Sequence, residues 1–176
     1  MYRRDGTRFN PDHMQVTDRS GRKTVAVWAW FSASGPGDFV RINGKLNAEK
    51  YLEILGDTLL PSIHIRFPRI RVKFIQDKSP IHGENIIKSW FAYNPDIELL
   101  PWPAKGADIN PIENVWGDIV KESAYFRQLT DDEVFQKAHS IWEGYRGSHS
   151  YWRKLAYSMI NRLRLVVENE GGWTKY

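Results

Sequence analysis

The stretch Arg69-Ile70-Arg71-Val72-Lys73-Phe74-Ile75-Gln76-Asp77-Lys78-Ser79-Pro80 decides the fold. Basic and apolar residues alternate, apolar residues then take over, a carboxylate closes the run and Ser-Pro breaks it. That pattern predicts a strand over 69–77. In an α/β sheet Asp77 then sits at the C-terminal strand edge, where such sheets build their sites. Downstream, Ile97-Glu98-Leu99-Leu100-Pro101 reads as a second strand, ended by Pro101 and Pro103. A helix follows: Asn110 is its cap, Pro111 its first residue and Glu113 its third, a capping-box-like start. Ile112, Val115, Trp116, Ile119 and Val120 then recur at helical spacing. If the two strands are neighbours, Asp77 and Glu113 converge. Converging carboxylates with few histidines suit Mg²⁺, and two such ions about 3.5–4 Å apart serve phosphodiester cleavage or transfer. A plainer reading competes: Asp before Lys-Ser-Pro is a good turn former, and a capping box wants a carboxylate at Glu113.

Outward from this centre, Thr24-Val25-Ala26-Val27-Trp28-Ala29-Trp30-Phe31 is apolar on both faces, and Ser32 to Gly37 is turn chemistry. Residues 24–43 therefore read as an antiparallel hairpin with a buried strand. Asn47 caps a helix expected to end near Leu60, before Pro61; residues 84–92 form a short amphipathic helix. Thr130 with Glu133 starts another helix, and a last one runs from about Tyr151 to Asn169 and stops at Gly171-Gly172. Residues 1–23 are polar and basic, without periodicity. The order ββαβαβααα implies one α/β layer structure with a helical C-terminal extension. The 176 residues are 41% hydrophobic and 26% charged, enough for a core. The absence of cysteine excludes disulfide scaffolds, thiol nucleophiles and thiolate metal sites. No apolar run reaches membrane-span length, and the net charge of +4 leans toward a polyanionic partner.

Three segments together resemble a known family. Phe74-Ile75-Gln76-Asp77-Lys78-Ser79-Pro80-Ile81-His82, then Glu98-Leu99-Leu100-Pro101-Trp102-Pro103, then Asp108-Ile109-Asn110-Pro111-Ile112-Glu113-Asn114-Val115-Trp116 look like the catalytic core of Tc1/mariner-type DNA transposases. That family carries a strand ending in Asp-Asn-Ala-Pro-x-His, a Leu-Pro-Trp-Pro strand and a Ser-Pro-Asp-Leu-Asn-Pro-Ile-Glu helix start. The spacing between Asp77 and Glu113 is close to the family's, Trp28 stands where its second strand carries Trp, and the ending from Ser158 to Tyr176 is similar to several members'. Lys78 departs from the usual Asn, and Lys105-Gly106-Ala107 from the residues near the usual Ser-Pro.

The resemblance implies an RNase H-like mixed sheet, with 1–23 as a basic arm, 24–123 as the catalytic core and 124–176 as its helical extension. In the family, three acids bind two Mg²⁺ or Mn²⁺ ions, and water and then a freed 3′-hydroxyl attack phosphodiester bonds of transposon ends and target DNA. Asp77 matches the second acid and metal ligand, and Glu113 the third. His82 matches the family's histidine, either as a ligand or, preferably, as a hydrogen-bond partner that orients the site; Asn110 is placed in the same supporting role. Arg69, Arg71 and Lys73 share strand parity with Asp77, so an unbulged strand aims all four one way, toward a phosphate backbone or as a solvated, locally paired face. Lys78 either contacts phosphate or is solvated. The implied setting is intracellular, nuclear and reducing, with DNA as partner, homodimerisation open, and neither membrane nor organic cofactor.

The family's first acid lies on a central first strand, in sheet order 3-2-1-4-5. Asp5, Asp12, Asp18 and Asp38 sit in no such strand and read as loop or turn acids. The expectation is an N-terminally truncated catalytic portion, inactive in isolation, or a domesticated, non-catalytic remnant that binds DNA or a partner. A gap is expected between the hairpin and the 70–77 strand, unless the hairpin closes on that strand or the arm fills it.

Overall fold

The computed structural model describes residues 25–103, 106, 109–122 and 129–171. The arm with Asp5, Asp12 and Asp18, together with Lys105, Ala107 and Trp173, lies outside the described residues.

Large apolar side chains on both parities make β1 (Val27–Ser32) a strand covered on two faces. Trp28 and Trp30 pack to one side, and Val27, Ala29 and Phe31 to the other. β1 pairs antiparallel with β2 (Gly35–Arg41), with a register shift between Ala29 and Phe31. Glycine is required at 37, where an added Cβ would fall 2.1 Å from the Trp30 indole. That indole instead donates from Nε1 to Asp38 Oδ2 at 2.9 Å.

α1 (Ala48–Glu53) is capped by Asn47, whose side chain accepts from Lys50 N. The helical run does not stop at Pro61 as the sequence suggests. It passes through a π-helical segment, Ile54–Leu59, into α2 (Leu60–Arg66). There Leu60 N bonds to Leu55 O, five residues back, a widened register that accommodates the N–H missing at Pro61.

β3 (Val72–Phe74) pairs in parallel with β4 (Ile97–Leu99), with α3 (Asn85–Tyr93) between them in sequence. The paired strand is thus shorter than the expected 69–77. Arg69 adopts φ +63, which ends the alternation on one side, and the Leu100 N to Phe74 O bond of 2.9 Å closes the ladder on the other. Three further helices follow among the described residues: α4 (Ile112–Glu122), α5 (Asp131–Gly144) and α6 (His149–Glu168). Thr130 and Glu133 form the reciprocal capping box. Gly171, at φ +82, ends the last helix with its N–H on Val166 O at 2.8 Å.

Among the described residues β1–β2 and β3–β4 are two separate two-stranded sheets. Among these residues the hairpin does not close on β3, and the arm that could fill the expected gap lies outside them. Two cores flank the hairpin. One contains Trp30, Tyr51, Leu55, Leu59, Ile63, Ile87, Phe91 and Ile97; the other contains Phe39, Val115, Ile119, Trp142, Trp152 and Leu155. No helix among the described residues is long and apolar enough to cross a membrane.

Candidate functional site

Beyond β3 the chain reaches Asp77, where the turn-forming reading of its sequence is visible. Its Oδ1 accepts Ser79 N–H at 3.0 Å, the Asx-turn expected of Asp before Lys-Ser-Pro. The same Oδ1 lies 2.8 Å from His82 Nδ1, which is also 3.0 Å from the Asp77 carbonyl. Both partners are acceptors, so Nδ1 carries the proton and donates. The short helical turn Pro80–Gly83 brings His82 back to this position. The His82 ring rests on Tyr51 at 4.4 Å between centroids. The buried Tyr51 hydroxyl donates in turn to Gln76 Oε1. Burial, and then the charge of Asp77, push the Tyr51 hydroxyl above its ordinary value, so it stays a donor. The turn occupies one Asp77 oxygen and leaves Oδ2 without a hydrogen bond among the described residues.

Glu113 behaves differently. α4 begins at Ile112 rather than Pro111, and Asn110 Oδ1 accepts from Ile112 N at a long 3.4 Å. No bond joins the Glu113 carboxylate to the Asn110 amide among the described residues, so the capping box expected here is not formed. The first turn is instead held by the three-residue bonds Glu113 N to Asn110 O, 3.2 Å, and Asn114 N to Pro111 O, 3.1 Å. The Glu113 side chain is left exposed. Partial burial, and then the charge of Asp77, raise its carboxyl above its ordinary value. The two acids are therefore electrostatic neighbours, one from each half of the molecule.

Both line one cleft of about 600 Å³. Its walls are the β1 side, residues 27–33, and the β3 side, residues 70–77. Each strand is paired along its other edge, so the edges facing the cleft are unpaired among the described residues. His82, Asn110 and Glu113 also line it, as do Ala156 and Met159 of α6.

The basic row is broken. Arg69 leaves it through its left-handed backbone, and the Arg71 Nε lies 3.6 Å from Glu98 Oε2, the locally paired alternative. Lys73 is exposed on β3 opposite Glu98, and Lys78 is exposed beside Asp77. Two contributors were not legible as such: Tyr51, which reads as a helix-face aromatic, and Arg162, which reads as compatible with DNA contact or equally with ordinary surface. Arg162 is only 2% exposed and donates to Asn114 Oδ1 at 2.6 Å. Its signal was positional, since it continues the inward spacing of Trp152, Leu155 and Met159. Trp102 is buried, with its indole on Gly106 O at 3.1 Å, and so is a packing residue.

Among the described residues no three His, Asp or Glu side chains cluster to hold a metal. Asp77 and Glu113 nevertheless fit a hard divalent cation as two oxygen donors. Burial raises the Glu113 carboxyl first and the charge of Asp77 second, and a cation would relieve that second cause.

Residues 1–136 match the family model described as "DDE superfamily endonuclease". The chain is 30% identical to the Tc1 transposase of Caenorhabditis elegans over 171 residues, which is 97% of this chain and 61% of that protein. It is 29% identical over the same share to the Tcb1 transposase of Caenorhabditis briggsae. The chain thus spans about three fifths of the length of these curated relatives. Among solved structures, the catalytic domain of Mos1 mariner transposase superposes with a TM-score of 0.77 at 17% identity, covering 87% of this chain and 77% of that one. A pre-cleavage Mos1 transpososome gives 0.78 at 17% identity, covering 99% and 52%. The likeness to Mos1 establishes the RNase H-like fold, and the match over 1–136 places the chain in the DDE superfamily endonucleases, as a domain of the Tc1/mariner type.

Proposed function

We infer that this chain is the catalytic portion of a cut-and-paste DNA transposase, with Asp77 and Glu113 as two of the acids that hold a divalent cation. One observation carries the reading. Glu113, freed from the capping role its position offers, faces the same cleft as Asp77 and feels its charge. His82 fixes the Asp77 carboxylate through Oδ1 and leaves Oδ2 for the ion. One similar structure is the Mos1 catalytic domain with Mg, another is that domain with Mn, and a third is the Mos1 strand transfer complex. These support Mg²⁺ or Mn²⁺, and DNA, as partners here. An ion held by Asp77 and Glu113 would supply Lewis-acid activation of a nucleophile and charge stabilisation at the leaving oxygen. The chain's own residues do the rest. Asp77 and Glu113 would hold the ion in the cleft, and exposed Lys73 and Lys78 would meet the flanking phosphate backbone. Two ions, a homodimer and nuclear action belong to the same reading.

A second reading, a non-catalytic remnant that binds DNA or a partner, is favoured by the lack of a third acid at the cleft among the described residues. The test is a Mn²⁺ titration of the full chain, read by loss of the free-ion spin resonance signal, with nicking of transposon-end DNA assayed alongside. Binding that weakens about tenfold or more in Asp77→Asn and Glu113→Gln is expected, with no nicking by the chain alone. Binding indifferent to both substitutions overturns the site, and nicking overturns the inactivity.

A further inference from the structure

The inner face of α6 is apolar from Trp152 through Leu155 to Met159, and the next inward position is Arg162. At 2% exposed, it is the buried charged residue among the described ones. Removing a guanidinium from water is costly unless its donors are well met, and an apolar side chain of similar length would pack at this position without that cost. The charge is held at its neck by its own helix. Nε donates to Ser158 Oγ at 2.9 Å, and that hydroxyl donates to Leu155 O at 2.6 Å. The far end crosses to α4, where Nη2 donates to Asn114 Oδ1 at 2.6 Å.

Asn114 directly follows Glu113. Successive helical residues point roughly 100° apart, so drawing Asn114 toward α6 turns Glu113 away from it, to the cleft that Asp77 lines. The first turn of α4 needs such an anchor, since among the described residues its side-chain cap is the long 3.4 Å contact from Asn110, with none from Glu113. We propose that Arg162 is a positioning residue: its buried guanidinium clamps Asn114 and sets the rotation of the α4 first turn that aims Glu113 at Asp77. The purpose of this clamp rests on the metal-site reading above; the clamp itself does not.

The test compares Arg162→Met, Arg162→Lys and Asn114→Ala with the unaltered full chain, without metal by hydrogen exchange and with Mn²⁺ by titration. Each variant is expected to keep a cooperative thermal transition. Amides of residues 114–118 should exchange roughly tenfold faster while those of α5 are unchanged, and Mn²⁺ affinity should fall about tenfold. Arg162→Lys, which retains the charge without the planar fork, should behave as Arg162→Met does. Unchanged local exchange in both Arg162→Met and Asn114→Ala overturns the proposal. Should Arg162→Met not fold, the surface change Asn114→Ala decides alone. Should Asp77→Asn leave Mn²⁺ binding intact, the metal reading falls, and the exchange result still decides the clamp.

Discussion

On one side of the hairpin, Tyr51, Leu55, Leu59, Ile63, Ile87 and Phe91 pack a largely aliphatic core against β3 and β4. On the other, Phe39 meets the rings of Trp116, Phe135, His139 and Trp142, and Trp142 meets Trp152. The aliphatic half ends in Asp77, and the aromatic half presents Glu113. The hairpin joins them: its Trp30 belongs to the first core and its Phe39 to the second. The Gly35-Pro36-Gly37 carbonyls accept from Arg66, Arg146 and Trp142 in turn, so elements of both halves grip the start of β2. Each acid is thus local to one half, and the site is a property of how the halves meet.

The strongest way to break this comparison is to damage one half at a time. Trp142→Ala removes a fully buried ring and its bond to Gly37 O, and should cost about 3–5 kcal/mol. Leu55→Ala, equally buried, should cost about 2–5 kcal/mol. Urea unfolding followed by tryptophan fluorescence and by circular dichroism reads both. If the halves form one cooperative unit, each variant shifts a single coincident transition; two transitions would mean that the hairpin does not couple them.

A milder probe sharpens the boundary of the aromatic half. Thr130→Ala removes the Oγ1 that accepts from Glu133 N, and should cost about 1 kcal/mol, seen in the same unfolding curves. Its effect on Mn²⁺ binding should be negligible, because α5 carries neither acid.

The smallest effect is expected at the junction itself. The carboxyl of Glu113 is raised in the folded chain, so the folded state binds more protons than the unfolded one, and stability falls as pH rises through that interval. Glu113→Gln should therefore raise the melting temperature of the metal-free chain by roughly 1 °C at neutral pH. The gain should vanish below the ordinary carboxylate range, where Glu113 is protonated in both states. A gain that persists in acid would show that packing, not charge crowding, is its source.

Much of this was legible in the chain. The two-faced β1 follows from apolar residues at both parities, and the Thr130 and Asn47 caps follow from residue type and spacing, because strand pleat and helix ends are local physics. Pro61 misled, since a π-helical register upstream absorbed its missing N–H. The strand through Asp77 was overextended because the apolar run continues in sequence past Phe74, where its pairing partner β4 has run out. The Glu113 capping box fits the spacing, yet the carboxylate is turned elsewhere. Arg162 was hidden because a charged residue in a helix reads as solvated until another helix is laid over it.

What the amino-acid order determined by itself, then, was the list of elements, the Asp77 turn and the family likeness carried by three short motifs. All of these depend on contacts within a few residues or on direct identity of side chains. Only the tertiary structure decided that the sheets of the described residues stay apart around a shared cleft, that Glu113 lines the same cleft as Asp77 instead of capping its own helix, and that a buried arginine holds the adjacent asparagine. Those facts depend on distances between segments dozens of residues apart, which spacing along the chain does not encode.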